Sequence, residues 1–286
     1  MPNSTNTYRL LDSGNFEKLE QVGPYRLIRP APQAIWEPAR PADDWAAAHA
    51  HYRRSSSGGG RWEFARRLPP HWTVTHYGLT LKVKLTNFGH LGLFAEQGPM
   101  WEWIQKQIRA AKKPVTVLNA FAYTGGSSLA AAAAGASVVH LDAAKGVVAW
   151  ARENARLCNL HHTPIRWLVD DVSKFVAREI RRGSKYNALI LDPPSFGRGA
   201  KGEVWKFERD LPRLLARCRQ LLTPAPRFVL LSAHTPGFTP LALQNLLAGM
   251  MAPFRGSVTS FEMTVPEFES GRVLPSGAMA RWQCKK

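Results

Sequence analysis

After Pro114 the chain alternates strand-like and helix-like segments without a break, and this periodicity restricts its possible folds more than any other feature. "VTVLNAF" reads as a short buried strand, "GSSLAAAAAGA" as a helix stopped at Gly135, "SVVHLD" as a strand and "KGVVAWARENARLCNL" as an amphipathic helix. The pattern continues through "IRWLV", "DVSKFVAREIRRG", "NALILD", "RDLPRLLARCRQLL", "RFVLLS" and "TPLALQNLLAGMM". Such alternation predicts a parallel sheet with helices on both faces. The last two segments, "SVTSFEMTV" and "GAMARWQCK", have only a loop between them. A loop permits an antiparallel pair but no right-handed helical crossover.

The first part of the chain has a different texture. From Tyr8 to Leu85, short mixed segments ("YRLLD", "EKLEQVG", "PYRLIRP") are separated by turn residues such as Ser13-Gly14-Asn15, a pattern of short antiparallel strands. Trp36, Trp45, Trp62 and Trp72 give this small segment unusual aromatic mass. Either they build its core, or one or two stack on nucleobases, worth about 1–3 kcal/mol per base. "SSSGGGRW" reads as a flexible loop, and Arg53, Arg54, Arg61, Arg66 and Arg67 near it are candidates to touch phosphates. The expected fold class is α/β: a Rossmann-like, mostly parallel seven-stranded sheet with a C-terminal antiparallel hairpin, plus a small N-terminal β-rich domain. The division expected is residues 1–86 and 87–286.

Composition excludes several classes. No stretch of the 286 residues approaches the roughly 20 apolar residues of a membrane helix, and the start "MPNSTNTYRL" has no secretory pattern, so a cytoplasmic protein is expected. Cys158, Cys218 and Cys284 are scattered without metal spacing, which argues against a disulfide scaffold or a zinc site. The histidine pairs His49/His51 and His161/His162 have no carboxylate or cysteine partners nearby, so no metal is expected. Lys and Arg total 38 against 21 Asp and Glu, a net charge of +17. That field favours a polyanionic partner, nucleic acid first, with a monomer as the default state.

In a parallel sheet, ligands bind outside the C-terminal strand ends. Asn119 follows the first strand, Asp142 the second, Asp170 and Asp171 the third, and Asp192 the fourth. Gly125 and Gly126 open a helix of small residues, where backbone can approach a ligand closely. G-x-G-x-x-G and the P-loop lysine are both absent, so a ligand without phosphate is expected. Asp142 suits two ribose hydroxyls, or else caps the next helix. Asp171 caps its helix, or leaves that role to Asp170 and meets an adenine amino group.

"VLNAFAYTGGSSLAAAAAGA", "HLDAAKGVVAWARENARL" and "LILDPPSFGRG", in that order and spacing, resemble the S-adenosylmethionine-dependent methyltransferases of the family that holds the large-subunit ribosomal RNA cytosine-C5 and guanine-N7 enzymes. "FGHLGLFAEQGPMWEWI" is similar to the segment that leads into that family's cofactor loop, and the resemblance runs from Phe88 to about Leu231. It implies S-adenosyl-L-methionine as cofactor and RNA, in particular large-subunit ribosomal RNA, as partner. Tyr123, Thr124 and Gly125 would surround the cofactor together with Asn119 and Ala143. Asp142 would hold its ribose, Asp171 would meet its adenine, Asp192 with Pro193 would border the methyl donor, and Phe94 and Glu96 would close over the methionine part.

The departures narrow the chemistry. Ala144 stands where relatives often carry serine. Cytosine-C5 methylation needs a cysteine nucleophile, yet the stretch after "FVLLS" offers Ala233 and His234, and the position after Pro-Pro is Ser195. Cys158, Cys218 and Cys284 fall in expected helices and a strand, where inert thiols are usual. A nitrogen acceptor already has a lone pair, so in-line transfer to it needs mainly position and orientation. In this reading Asp192, Pro193 and Phe196 form the catalytic edge, Phe196 either stacking on the base or packing into the core. Arg198, Lys201 and His234 are the expected substrate contacts, with a solvated loop and a structural histidine as the plainer readings. The expectation is a methyltransferase that modifies a ring or exocyclic nitrogen of a ribosomal RNA base. The alternatives are methylation of a protein or small molecule, or a non-catalytic RNA-binding module.

Overall fold

The computed structural model of the protein describes residues 6–55, 59–198 and 204–285. The chain divides into two compact units: Met1–Gly98 with Thr264–Ser276, and Pro99–Met263 with Gly277–Lys286. The expected boundary at 86/87 thus falls inside the first unit, and the middle of the C-terminal hairpin also belongs there. A long hairpin need not end where its sheet ends, and the local hydrophobic pattern carries no mark of where it leaves one core for another.

The first unit contains β1 (Tyr8–Gly14), β2 (Glu17–Val22), β3 (Tyr25–Pro30), the short α1 (Ala42–Ala46), β4 (Ala50–Arg54), β5 (Gly60–Phe64), β6 (Trp72–His76) and β7 (Leu79–Val83). β1 to β5 form one sheet in sequence order, antiparallel except for the parallel pair β3–β4, and β6–β7 form a separate hairpin. Each of the four tryptophans spends its indole N–H inside the unit: Trp36 on Ser13 O, Trp45 on Asp12 Oδ2, Trp62 on Thr86 O and Trp72 on Val22 O. They are framework, as indoles held by apolar contact and one hydrogen bond usually are. Two buried carboxylates organise the rest. Glu20 takes both guanidinium arms of Arg29 at 2.6 and 2.7 Å and the Tyr8 hydroxyl at 2.8 Å. Asp12 accepts Arg272 Nη2 at 2.5 Å together with the N–H groups of Ser13, Ala39 and Arg40. Arg272 also reaches Glu267 at 3.0 Å, which ties residues 264–276 into this unit.

The second unit follows the expected alternation: α2 (Gly98–Arg109), β8 (Thr116–Ala120), α3 (Gly126–Ala133), β9 (Ser137–Asp142), α4 (Lys145–Leu157), β10 (Ile165–Val169), α5 (Val172–Arg181) and β11 (Ala188–Leu191). Then come a small hairpin of β12 (Phe196–Arg198) and β13 (Val204–Lys206), α6 (Phe207–Arg219), β14 (Phe228–Ala233), α7 (Pro240–Met251), β15 (Gly256–Pro266) and β16 (Val273–Cys284). The seven-stranded sheet has the order β10-β9-β8-β11-β14-β16-β15; its first five strands are parallel, and β16 of the terminal hairpin joins β14 antiparallel.

The central strands read as unbroken apolar runs because both of their faces are covered. Leu118, Leu189, Leu191, Val229 and Leu231 pack on one face with Phe175, Leu211, Leu214, Leu243 and Leu247 from α5, α6 and α7. Val117, Ile190, Phe228 and Leu230 pack on the other with Met100, Ile104 and Ile108 from α2 and Ala131 and Ala132 from α3. No helix among the described residues is long and apolar enough to cross a membrane.

Candidate active site

The strand order reverses between β8 and β11: the chain runs outward from β8 through β9 to β10, then returns to the other side of β8. At such a switch point the loops on either side diverge and leave a crevice at the C-terminal edge. The loop after β8 and the loop after β11 flank it.

The loop after β8 is held in a costly shape. Phe121 and Tyr123 have φ of 58° and 49°, in the left-handed region, and Gly125 has φ of 95° at the head of α3. For a non-glycine residue this conformation costs on the order of 1–3 kcal/mol and persists only where neighbours enforce it. The enforcing bonds are visible. Asp142 Oδ2 accepts the Tyr123 N–H at 2.9 Å, Asn154 Nδ2 donates to Thr124 O at 2.9 Å, and Leu141 O accepts the Ala122 N–H at 3.1 Å. Gly126 has a separate role: a Cβ there would lie 2.3 Å from Trp101 Cζ2. The glycine makes room for an indole and not, as its sequence context suggested, only for a ligand.

Beneath the loop lies a buried polar chain. Asn119 Nδ2 donates to Ser128 Oγ at 2.8 Å, and Ser128 Oγ lies 3.0 Å from His140 Nδ1. Burial pushes the His140 imidazole down to about 3, with Arg152 adding to the effect, so the ring is neutral at physiological pH. Asn119 is 2% exposed. Its amide supports the start of α3 from below, at the register of β8 that pairs with His140 of β9.

The acids after β9 and β10 take distinct positions. Asp142 accepts Tyr123 N–H on one oxygen and Ala144 N–H at 3.0 Å on the other. An ionised carboxylate has about four acceptor sites, so two remain for ligand hydroxyls. Ala143 beside it is exposed. Asp171 is the N-cap of α5, its Oδ1 accepting the Lys174 N–H at 2.9 Å. Asp170, the alternative cap, instead binds Arg178 and accepts the Asp171 N–H at 2.8 Å. Among the described residues, the loops after β8, β9 and β10 therefore offer carboxylate oxygens and main-chain groups. That donor set fits a ligand with ribose hydroxyls, an amino group and a positive sulfonium, as S-adenosylmethionine has.

On the other side of the crevice, the Asp192-to-Phe196 segment is fastened at each step. Ser232 Oγ donates to Asp192 Oδ1 at 2.6 Å, and His234 Nε2 lies 3.8 Å from the same oxygen. Trp205 Nε1 donates to Pro194 O at 2.7 Å while its ring packs against Phe121 at 5.5 Å between centroids. The Phe207 N–H reaches Ser195 O at 3.1 Å, and Thr235 Oγ1 donates to Ser195 Oγ at 2.9 Å. Pro193 is buried; Phe196 is 53% exposed rather than packed into the core. Phe196–Arg198 forms β12, which pairs antiparallel with β13, Gly197 lying opposite Trp205.

Of the other expected contacts, Arg198 ends β12 and Lys201 lies outside the described residues. Phe94 and Glu96 belong to the first unit, where Glu96 is buried and its charge acts on Tyr8 and Arg29. Cys218 is buried in α6, its thiol pushed up to about 12 by desolvation, whereas Cys158 and Cys284 are half-buried. Sequence reasoning missed Ser128, His140, Asn154, Trp205 and Ser232. The signal for Asn154 was a polar residue on the buried face of α4, beside Ala151 and Ala155; for His140 and Ser128 it was a polar pair inside small, apolar segments.

The S-adenosylmethionine-dependent methyltransferase family model matches residues 26–268. A crystal structure of an S-adenosylmethionine-dependent methyltransferase from Agrobacterium tumefaciens is 41% identical and superposes with a TM-score of 0.93, covering 97% of this chain and 90% of that one. Ribosomal RNA large subunit methyltransferases K/L from Marinobacter nauticus and Hahella chejuensis are 29% and 33% identical, over 60% and 53% of this chain. The matches span only 23% and 20% of those two longer proteins. With a family match over most of its length and a solved relative that shares its whole fold, the chain belongs to the S-adenosylmethionine-dependent methyltransferase family.

Proposed function

We propose that this protein methylates a base of large-subunit ribosomal RNA, and that the acceptor is a ring or exocyclic nitrogen and not cytosine C5. The ribosomal substrate is supported by the names of the K/L relatives and by the net charge of +17. The acceptor assignment rests on one observation: around Asp192 and the exposed Phe196 ring, the positions where C5 chemistry would require a thiol hold Ser195 and Ala233. A hydroxyl already bonded to Thr235 and a methyl group cannot add to a pyrimidine ring as a thiolate does.

The bound cofactor supplies an electrophilic methyl group on a sulfonium. The chain supplies position. Asp142 holds hydroxyls at the end of β9, and the strained loop from Phe121 to Gly125 shapes the wall beside it. Phe196 offers a face on which a base extruded from its stack can lie, worth about 1–3 kcal/mol. Asp192, held by Ser232, accepts a hydrogen bond from the amino edge of that base, and Pro193-Pro194 keep the carboxylate and the ring in a fixed relation. Orientation of this kind contributes roughly 7–11 kcal/mol to transfer reactions.

The test compares nucleosides by mass spectrometry in ribosomal RNA from cells with and without the gene, then adds purified protein and labelled cofactor to the unmodified RNA. A methylated guanine or adenine that vanishes and is restored supports the reading. Loss of 5-methylcytosine alone would overturn the acceptor assignment, and no change in any nucleoside would overturn the ribosomal substrate.

A further inference from the structure

We propose that the outer face of α6 is a basic ridge that follows the phosphate backbone of RNA away from the acceptor edge. The helix is sharply two-sided. Phe207, Leu211, Leu214, Leu215 and Cys218 are buried in the core, while Arg209, Arg213, Arg217 and Arg219 are exposed. Arg209, Arg213 and Arg217 recur at four-residue intervals, so they line one stripe, and at about 1.5 Å per residue they extend over about 12 Å. At the far end Lys185 joins the stripe, its Nζ donating to Gln220 O at 2.7 Å.

The first member of the stripe is fixed; Arg213, whose charge also acts on Asp210, and Arg217 are exposed, with Arg219 on the other flank of the same outer face. Arg209 is bound to both oxygens of Asp210, at 2.9 and 2.8 Å, and to Val204 O of β13. Among the described residues Arg213, Arg217 and Arg219 have no carboxylate at ion-pair distance. A favourable helix dipole accounts for cations in the last turn, which covers Arg217 and Arg219 but not Arg213 in the middle of the helix.

The ridge also starts in the right place. The first residue of α6, Phe207, donates its N–H to Ser195 O, and Lys206 just before it pairs with Phe196 in the β12–β13 hairpin. A nucleotide resting on Phe196 therefore has its flanking backbone within the sweep of α6. Regularly spaced guanidinium groups match a chain of phosphates and carry no sequence information, which is what a register-setting surface requires. The proposal rests on the RNA reading above, though not on which RNA or which atom is methylated.

The experiment uses the triple variant Arg213→Gln/Arg217→Gln/Arg219→Gln, since glutamine keeps the helix propensity and removes the charge. Binding of a uridine homopolymer is measured by fluorescence anisotropy from 50 to 200 mM salt, with cofactor affinity by calorimetry to verify the fold. Three lost contacts to a single strand should lower the slope of log K against log salt by about 2. At 50 mM salt, binding should weaken by more than tenfold, with cofactor affinity unchanged. An unaltered slope and affinity in the variant would show that the ridge is only a solvated face, and the proposal falls. Absence of homopolymer binding by the wild type overturns it as well. Transfer to ribosomal RNA is scored separately with the wild type: homopolymer binding that depends on the ridge, without transfer to ribosomal RNA, would remove the ribosomal substrate and keep the ridge.

Discussion

Ser232 donates its hydroxyl to Asp192 Oδ1 across 2.6 Å, so a side chain from β14 sets the carboxylate that ends β11. The bond joins two neighbouring parallel strands at the edge where the acceptor is proposed to lie. A hydrogen bond to a charged group is worth about 1.5–3 kcal/mol. Ser232→Ala is expected to lower kcat about tenfold or more with little change in cofactor affinity, as steady-state kinetics and calorimetry together would reveal. Unchanged kcat would mean that Asp192 needs no orientation.

Phe196 tests the acceptor platform. Phe196→Ala removes the exposed ring from a residue already outside the core, so stability should hardly change. Loss of about 1–3 kcal/mol of stacking corresponds to roughly a fivefold to hundredfold rise in KM for RNA, and Phe196→Trp should restore it. An equal loss in both variants would assign the ring to packing.

His140 predicts a pH signature. Its imidazole titrates near 3 in the fold and near the ordinary 6.5 when unfolded, so as pH falls below 6.5 the unfolded chain takes up the proton first. Stability should therefore decline from about pH 6.5 toward pH 3, by up to about 1.4 kcal/mol per pH unit from this group. Denaturant titrations of the wild type and His140→Gln at pH 7, 5.5 and 4.5 should diverge in slope, the variant lacking this contribution. Parallel curves would mean that the buried ring is not kept neutral.

Glu20 predicts the opposite kind of group. Burial raises its carboxyl, but Arg29 and Lys18 beside it, with bonds from Arg29 and Tyr8, more than offset this and hold it at about 2. Its stabilisation is complete above the unfolded value of about 4.5 and is lost as pH falls toward 2. Arg29→Met strands the buried charge and should cost about 3–5 kcal/mol at neutral pH. Thermal melts of the variant should show the first unit losing its cooperative transition.

Gly126→Ala places a methyl group 2.3 Å from the Trp101 ring at the head of α3. Overpacking of this kind costs about 1–3 kcal/mol, and the displaced helix start should also weaken cofactor binding. The double variant with Trp101→Leu should recover part of both losses in a double-mutant cycle. Additive losses would mean that the ring and the glycine do not interact.

Legibility from sequence followed the range of the interactions concerned. The strand-helix alternation after Pro114, the terminal hairpin and the acids at the strand ends rest on local periodicity, and the elements appear within a few residues of their expected limits. Asp171 as a helix cap and Phe196 as an exposed ring lay among the readings the residues allowed. The function of Gly126 did not, because the ring it accommodates comes from Trp101, a whole strand and loop away. The bond from Asn119 to Ser128 was not legible either, because it forms only once α3 is packed on β8 and β9.

The amino-acid sequence alone determined the layer architecture, the absence of a phosphate cradle in the loop after β8 and the lack of a thiol after Pro-Pro. These depend on residue type and spacing, which need no third dimension. The tertiary structure decided which polar groups are scaffold and which face the crevice. It set Asn119, Ser128 and His140 under the loop, Ser232 on Asp192, and a stripe of arginines on the open side of α6. Such assignments depend on which strands become neighbours and which helix face is covered, and those pairings are made by packing between segments far apart in the chain.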